Sequence, residues 1–203
     1  WVIFMKIKNP GIIDVFWPIN ICAVATTFLL LKPWSPISTL AVFLCLSWGI
    51  RLSVFLLCTR VLKSEIEKRY QQLVSSWTNK TLGFLAHCLL QGFLAWILAL
   101  PFYFIAKKTS INALDLLFGI CILLSISGEV YADMTLKNFK HSKKEGVCQQ
   151  GLWQYSRHPN CFFECMIWLG ISLLSIFNLT SLFSLLSPLT LFILMWFFTI
   201  PIT

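Results

Sequence analysis

The segment Ile37–Leu57 reads ISTLAVFLCLSWGIRLSVFLL and contains one charged side chain, Arg51. An α-helix needs about 20 mostly apolar residues to cross the hydrocarbon core of a bilayer. The segment has this length and composition, so we predict that it is a membrane-spanning helix. Five other segments meet the same criterion: Ile12–Leu31, Thr81–Ile105, Ala113–Ala132, Phe162–Phe177 and Leu179–Ile202.

The composition of the whole chain agrees with this prediction. Hydrophobic residues make up 58% of the 203 residues and charged residues only 12%, whereas soluble domains carry about 25% charged residues. We therefore predict an all-α fold, a polytopic transmembrane helical bundle in which residues 1–203 form one domain. Trp1–Met5 reads as the end of an earlier span, and the chain stops at Thr203 directly after an apolar run. We expect a fragment that lacks an N-terminal helix and a C-terminal tail, with seven spans in the full-length protein.

The eight cysteines are scattered along the chain without a C-x-x-C pair, and most lie inside apolar runs. This pattern is not typical of a disulfide framework or of a structural zinc site. Cys161 and Cys165 follow His158 closely, but no fourth ligand accompanies them. We therefore expect packing roles for the cysteines and no bound metal.

The distribution of lysine and arginine predicts the orientation in the membrane, because cytoplasmic loops carry an excess of both. Six alternating spans place most basic residues on one side, so we expect the two long basic loops to face the cytoplasm. The net charge of +8 fits membrane lipids with anionic headgroups as partners, or a polyanionic cytosolic cofactor. Nucleic acid is not expected, since the basic residues lie close to the membrane. The predicted cytoplasmic residues are Lys6, Lys8, Arg60, Lys63, Lys68, Arg69, Lys80, Lys137, Lys140, Lys143, Lys144 and Arg157, against Lys32, Lys107 and Lys108 opposite.

Four ionisable side chains lie in or at the ends of the predicted spans: Asp14, Arg51, Glu129 and Asp133. Charged groups in a membrane are costly and usually face the bundle interior or a cavity. Glu129 and Asp133 are four residues apart, which places them on one face of a helix. For Arg51 and Glu129 a structural ion pair is the alternative to a functional role. For Asp14 and Asp133 the alternative is interfacial snorkelling or helix capping.

A polar stretch, Gly151–Glu164, separates the fourth and fifth predicted spans and reads GLWQYSRHPNCFFE. Pro159 suits the first turn of a helix, where its missing N–H costs least. A helix start beside Arg157 is suited to an anion, and Asn160 and Glu164, one turn apart, could hydrogen-bond a carboxamide. The alternative interpretation is a juxtamembrane turn within an aromatic belt.

These residues resemble the signature of the steroid 5-alpha-reductase C-terminal-like superfamily of membrane reductases. The nearest likeness is to its bacterial DUF1295 branch, whose signature is Gly-Leu-Trp-x-Tyr-Ser-Arg-His-Pro-Asn-Tyr-Phe-Gly-Glu. Here Cys161 stands in place of Tyr and Phe163 in place of Gly. Weaker matches follow in the same order along the chain: Asp14 with Trp17, Trp48–Leu52, Arg60, Lys68–Tyr70, Gln91, Pro101, Glu129 with Asp133, and Phe139–Lys140.

The resemblance implies an NADPH-dependent reductase of the bacterial inner membrane, which transfers hydride to a carbon–carbon double bond of a lipid-soluble, steroid-like or enone substrate. Residues 133–164 would form the cytoplasmic cofactor-binding loop and helix start. The implied catalytic residues are Asp14, Trp48 and Arg51. Trp48 stands where the steroid reductases have Tyr, and its indole can donate a hydrogen bond but cannot deliver a proton. The implied cofactor-binding residues are Glu129, Asp133, Lys140, Tyr155, Arg157, His158, Asn160, Glu164 and Trp168.

Two other interpretations remain open. Membrane methyltransferases of the isoprenylcysteine or phospholipid type share a related Arg-His-Pro segment and bind S-adenosylmethionine. The pair Asn160 and Glu164, together with Glu129 and Asp133, favours the reductase. The third interpretation is a non-catalytic lipid-binding membrane protein that keeps the fold, and the two departures from the signature favour it.

Overall fold

The computed structural model describes residues 11–62, 77–142 and 146–199, and every regular element within these ranges is a helix. This result confirms the predicted all-α fold. Short helical turns of other types lie at Leu57–Val61 and Met195–Thr199 (π-helix) and at Gly151–Gln154 and Leu179–Leu185 (3-10 helix). The α-helices are α1 (Ile12–Leu30), α2 (Pro36–Leu56), α3 (Lys80–Leu98), α4 (Leu100–Ile105), α5 (Ala113–His141), α6 (Pro159–Ser175) and α7 (Leu186–Leu194).

Five helical segments are long and apolar enough to cross a membrane: Ile12–Leu30, Pro36–Val61, Lys80–Ile105, Ala113–His141 and Leu179–Phe197. A sixth apolar helix, α6, has 17 residues and is about 25 Å long. These six correspond to the six predicted spans, and the chain is a membrane protein. Several predicted features lie outside the described residues: Trp1–Met5, Lys6, Lys8, Lys63, Lys68–Tyr70, Lys143, Lys144 and the last residues of the sixth span, 200–202.

Helix α5 differs most from the prediction, because it continues nine residues beyond Ala132 to His141. The residues from Asp133 to His141 include no glycine or proline, and Lys140 and His141 in the last turn suit the negative end of the helix dipole. Asp133 therefore belongs to a helix, and the expectation that a loop begins there is wrong.

The third predicted span consists of two helices, α3 and α4, which meet at Ala99. Pro101 lies in the first turn of α4. Because proline has no backbone N–H, it cannot continue the hydrogen-bond ladder of α3, and a new helix starts instead.

Helices α5 and α6 pack closely at two glycines. A Cβ atom added to Gly170 would lie 2.6 Å from Ile122 Cγ1, and one added to Gly128 would lie 2.5 Å from Phe163 Cε1. Neither position has room for a larger residue without a shift of its neighbour. The ring of Phe163, which replaces the signature glycine, thus occupies space that Gly128 leaves open on the facing helix.

A buried ion pair joins the ends of several helices on the side of the bundle where α5 begins. Lys108 Nζ lies 2.7 Å from Asp115 Oδ1 and donates to the carbonyl oxygen of Leu174 at 3.0 Å. The Asp115 carboxylate also accepts from the backbone N–H of Asn112. This ion pair lies where α5 begins, and we call the region of Lys108 and Asp115 the paired end of α5.

Candidate functional site

Three helices bring ionisable groups together near the other end of α5. Arg51 of α2 lies between Glu129 and Asp133 of α5, with Nη1 2.9 Å from Glu129 Oε1 and Nη2 2.6 Å from Asp133 Oδ2. The Asp133 contact is a hydrogen bond, whereas the Glu129 contact is an ion pair without hydrogen-bond alignment. Glu129 and Asp133 thus lie on one face of α5, as their spacing predicted, and this face contacts Arg51 of α2.

Glu164 of α6 lies beside this group and accepts two hydrogen bonds from buried tryptophans. Its Oε2 accepts from Trp48 Nε1 at 2.9 Å, and its Oε1 accepts from Trp168 Nε1 at 3.1 Å. Both indoles are completely buried, and their rings pack edge to face with centroids 5.0 Å apart. Each oxygen of Glu164 therefore has a fixed donor, and the N–H of Trp48 is already engaged.

The site contains more buried carboxylates than cations. Glu129, Asp133 and Glu164 are 4%, 7% and 6% exposed, and the carboxyl groups of Glu129 and Glu164 lie within hydrogen-bonding reach of each other. Within the described ranges, Arg51 is the only cation in an ion pair with any of the three. We call these four residues the carboxylate cluster. Such an arrangement is expensive without a further partner, because buried charges are stable only when paired and hydrogen-bonded.

Two buried acceptor atoms next to α6 have no hydrogen-bond donor among the described residues. They are Oε2 of Glu129 and Oδ1 of Asn160. An unsatisfied buried acceptor costs about 1–3 kcal/mol. The chemical complement of this site is therefore a group that supplies N–H donors.

The signature segment is held against α5 by its own glycine and tryptophan. Gly151 has φ of 56°, and an added Cβ would lie 2.8 Å from the Tyr131 hydroxyl. Trp153 Nε1 donates to the carbonyl oxygen of Ala132 at 2.9 Å, next to Asp133. These two residues build the turn that brings the segment beside the carboxylate cluster.

Helix α6 begins as predicted, with His158 before the helix and Pro159 in its first turn. The backbone N–H of His158 donates to Ser156 Oγ at 3.2 Å, and no side chain caps the helix. The first N–H groups of α6 are thus available to an acceptor, as in helix starts that bind anions.

The remaining predicted cofactor residues lie at the surface near the same ends of α5 and α6. Tyr155 is 81% exposed, Arg157 and Lys140 are exposed, and His158 is half-buried. The predicted cofactor-binding residues thus form two groups. The inner part of the site is buried and consists of Glu129, Asp133, Glu164 and Trp168, and the outer part is exposed and consists of Lys140, Tyr155 and Arg157.

Asp14 is the predicted catalytic residue that the structure places elsewhere. It forms an ion pair with Arg60 in the π-helical turn after α2, whereas Arg51 pairs with the two carboxylates of α5. Asp14 and Arg51 thus take part in different ion pairs, and the catalytic roles of Asp14, Trp48 and Arg51 stay predictions.

Sequence reasoning did not identify a cavity between α1 and α3. It has a volume of about 420 Å³ and a mostly apolar lining that includes Ile13, Phe16 and Phe84. Two carboxamides, those of Asn20 and Gln91, also line it. Both stand out in the sequence as amide side chains inside apolar spans, and that signal could have indicated a polar feature inside the bundle.

A family model described as "Protein of unknown function (DUF1295)" matches residues 1–203. The match covers the whole chain, including the signature segment and the three helices that form the carboxylate cluster. Neither the curated proteins nor the solved structures include a significant match to this sequence.

Proposed function

We propose that this chain, which belongs to the DUF1295 family, is an NADPH-dependent membrane reductase acting on a carbon–carbon double bond of a lipid-soluble enone. One observation carries the proposal: the buried acceptors Glu129 Oε2 and Asn160 Oδ1 have no donor among the described residues. A carboxamide such as that of nicotinamide has two N–H donors on one nitrogen. It could satisfy both acceptors.

The outer part of the site suits the phosphates of the same cofactor. The uncapped start of α6 offers backbone N–H groups, and Arg157 and Lys140 add positive charge at that end of the bundle. Arginine and helix starts are common phosphate-binding groups. The positions of the basic residues favour entry of the cofactor from the cytoplasm.

NADPH, when bound, supplies the hydride. The chain's own residues would orient its nicotinamide end and keep water away. Arg51 fixes the carboxylates of α5, while Trp48 and Trp168 fix Glu164. A site enclosed by completely buried indoles excludes solvent, which strengthens electrostatic interactions within it. Trp48 acts here by holding Glu164, since its N–H is already engaged.

The cavity between α1 and α3 is our candidate for the substrate site. Its apolar lining suits a lipid-soluble molecule. The carboxamides of Asn20 and Gln91 could hydrogen-bond a carbonyl or hydroxyl group of that molecule. Both helices are candidate membrane spans, so a substrate dissolved in the bilayer lies next to them.

The test is thermal unfolding of full-length protein in detergent with NADPH or with S-adenosylmethionine. A ligand that binds only the folded protein stabilises it by about 2.7 kcal/mol at 100 times its Kd, so NADPH should raise the melting temperature. Asn160→Ala should weaken NADPH binding by about tenfold, as expected for one lost hydrogen bond to the ligand. Glu164→Gln should weaken it indirectly, because it disturbs the hydrogen bonds from Trp48 and Trp168 that fix this side of the site. Gln154→Ala is the matched control, because Gln154 lies in the same segment with an exposed side chain, and it should bind like the wild type.

A methyltransferase is the second candidate, and a specific observation favours it. S-adenosylmethionine carries a positive sulfonium and an ammonium group, and three buried carboxylates with one arginine could accept a cation. Stabilisation by S-adenosylmethionine and not by NADPH would replace the reductase with this function. Stabilisation by neither would favour a non-catalytic lipid-binding protein.

A further inference from the structure

The carboxylates of the cluster differ in how completely their oxygens are satisfied. Both oxygens of Glu164 accept indole N–H groups, and Asp133 accepts the hydrogen bond from Arg51. Glu129 is 4% exposed, and its Oε2 has no donor among the described residues. The Glu129 carboxyl group lies within hydrogen-bonding reach of Glu164, so the excess negative charge of the cluster is centred on these two side chains, where α2 and α6 meet α5.

The two redox forms of nicotinamide differ in charge at the ring. The reduced ring is neutral and the oxidised ring is positive, while the rest of the nucleotide is the same. A buried negative cluster distinguishes between these forms, because charges interact strongly where water is excluded.

We infer that the carboxylate cluster binds the oxidised nicotinamide more tightly than the reduced one, and that Glu129 is the main source of this preference. The inference rests on the proposed function, since it requires the nicotinamide to bind at this cluster. Its consequence follows from thermodynamic linkage: the factor by which the site prefers the oxidised form is also the factor by which binding favours loss of hydride from the reduced form. Glu129 would thus promote hydride transfer without touching the substrate.

The experiment measures the dissociation constants of NADP⁺ and NADPH by titration calorimetry on full-length protein in lipid nanodiscs. In the wild type we expect NADP⁺ to bind about tenfold more tightly, an order of magnitude that charge pairs give at an effective dielectric constant of about 20 even when Arg51 offsets part of the field. Glu129→Gln keeps the size of the side chain and should reduce this ratio to about threefold, because Asp133 and Glu164 still outnumber Arg51 by one charge. Asp133→Asn should reduce it in the same direction, and it serves as the second variant if Glu129→Gln fails to fold.

Asp115→Asn is the matched control. Asp115 is a buried carboxylate on the same helix, fourteen residues from Glu129, which is about 21 Å along the helix axis. Its removal should leave the ratio of the two dissociation constants unchanged.

The outcomes separate this inference from the proposed function. If neither nucleotide binds, both are overturned. If both nucleotides bind the wild type with equal affinity, the reductase proposal stands and the inference is overturned. The same holds if a preference exists but is unchanged in Glu129→Gln and Asp133→Asn. A preference that both variants reduce and Asp115→Asn keeps supports the inference.

Discussion

The two ends of α5 both contain buried charged groups, but they differ in balance. At the paired end, one lysine meets one aspartate, and the carbonyl of Leu174 and the N–H of Asn112 complete their hydrogen bonds. In the carboxylate cluster, three carboxylates accompany one arginine, which pairs with Glu129 and Asp133, and Glu129 Oε2 has no donor among the described residues. The paired end has the equal numbers of opposite charges and the complete hydrogen bonds that a structural ion pair requires. The cluster has neither. A surplus of two carboxylates over cations, rather than burial of charge as such, thus distinguishes the candidate site from a structural pair.

The largest expected effect is on the paired end. Lys108→Met leaves Asp115, whose side chain is 3% exposed, without its cation, and breaking a buried pair in this way costs about 3–5 kcal/mol. Denaturation in detergent without ligand should show this loss of unfolding free energy. The double variant Lys108→Met with Asp115→Leu should regain most of it, since an apolar pair of similar volume is often as stable. A single variant as stable as the wild type would mean that the pair is not needed.

A matched pair of substitutions compares the two ends directly. Asp115→Asn removes the only carboxylate paired with Lys108 among the described residues, whereas Glu129→Gln removes one of two carboxylates paired with Arg51 and one of three in the cluster. The first should cost about 3 kcal/mol of unfolding free energy, the lower end of the range for breaking a buried pair, because Lys108 keeps its hydrogen bond to the Leu174 carbonyl. The second should cost less than about 1 kcal/mol, because it relieves a surplus of negative charge. Equal losses in the two denaturation curves would contradict the difference in balance.

The smallest expected effect concerns the turn that positions the signature segment. Trp153→Phe removes the hydrogen bond to the Ala132 carbonyl and should cost about 1 kcal/mol of stability. It should also weaken NADPH binding several-fold, because the turn holds α6 beside Asp133. Trp34→Phe is the control, since Trp34 also donates one hydrogen bond, but at an exposed position far from the cluster in sequence. If both variants bind NADPH like the wild type, the turn does not position the site.

Much of the fold followed from composition, because apolar runs of span length have few alternatives in a membrane. Pro159 indicated the start of α6, and the spacing of Glu129 and Asp133 indicated their common face; both depend only on local geometry. The end of α5 at His141 could not be predicted from the sequence, because polar residues after a span are compatible with a helix as well as with a loop. The hydrogen bond between Trp48 and Glu164, which joins residues 116 positions apart, could not be predicted from the sequence either. The same is true of the cavity lined by Asn20 and Gln91. These features depend on how the helices pack together.

The contact between Gly128 and Phe163 has a consequence for relatives of this chain. A Cβ at position 128 would lie 2.5 Å from the ring at position 163, so the two positions share one volume across the interface between α5 and α6. We therefore expect them to covary: where position 163 is the signature glycine, position 128 should accept a larger side chain. The replacement of the signature glycine by Phe163 would then be compensated by the small residue Gly128 on the facing helix, and it would not indicate that the signature has lost its role.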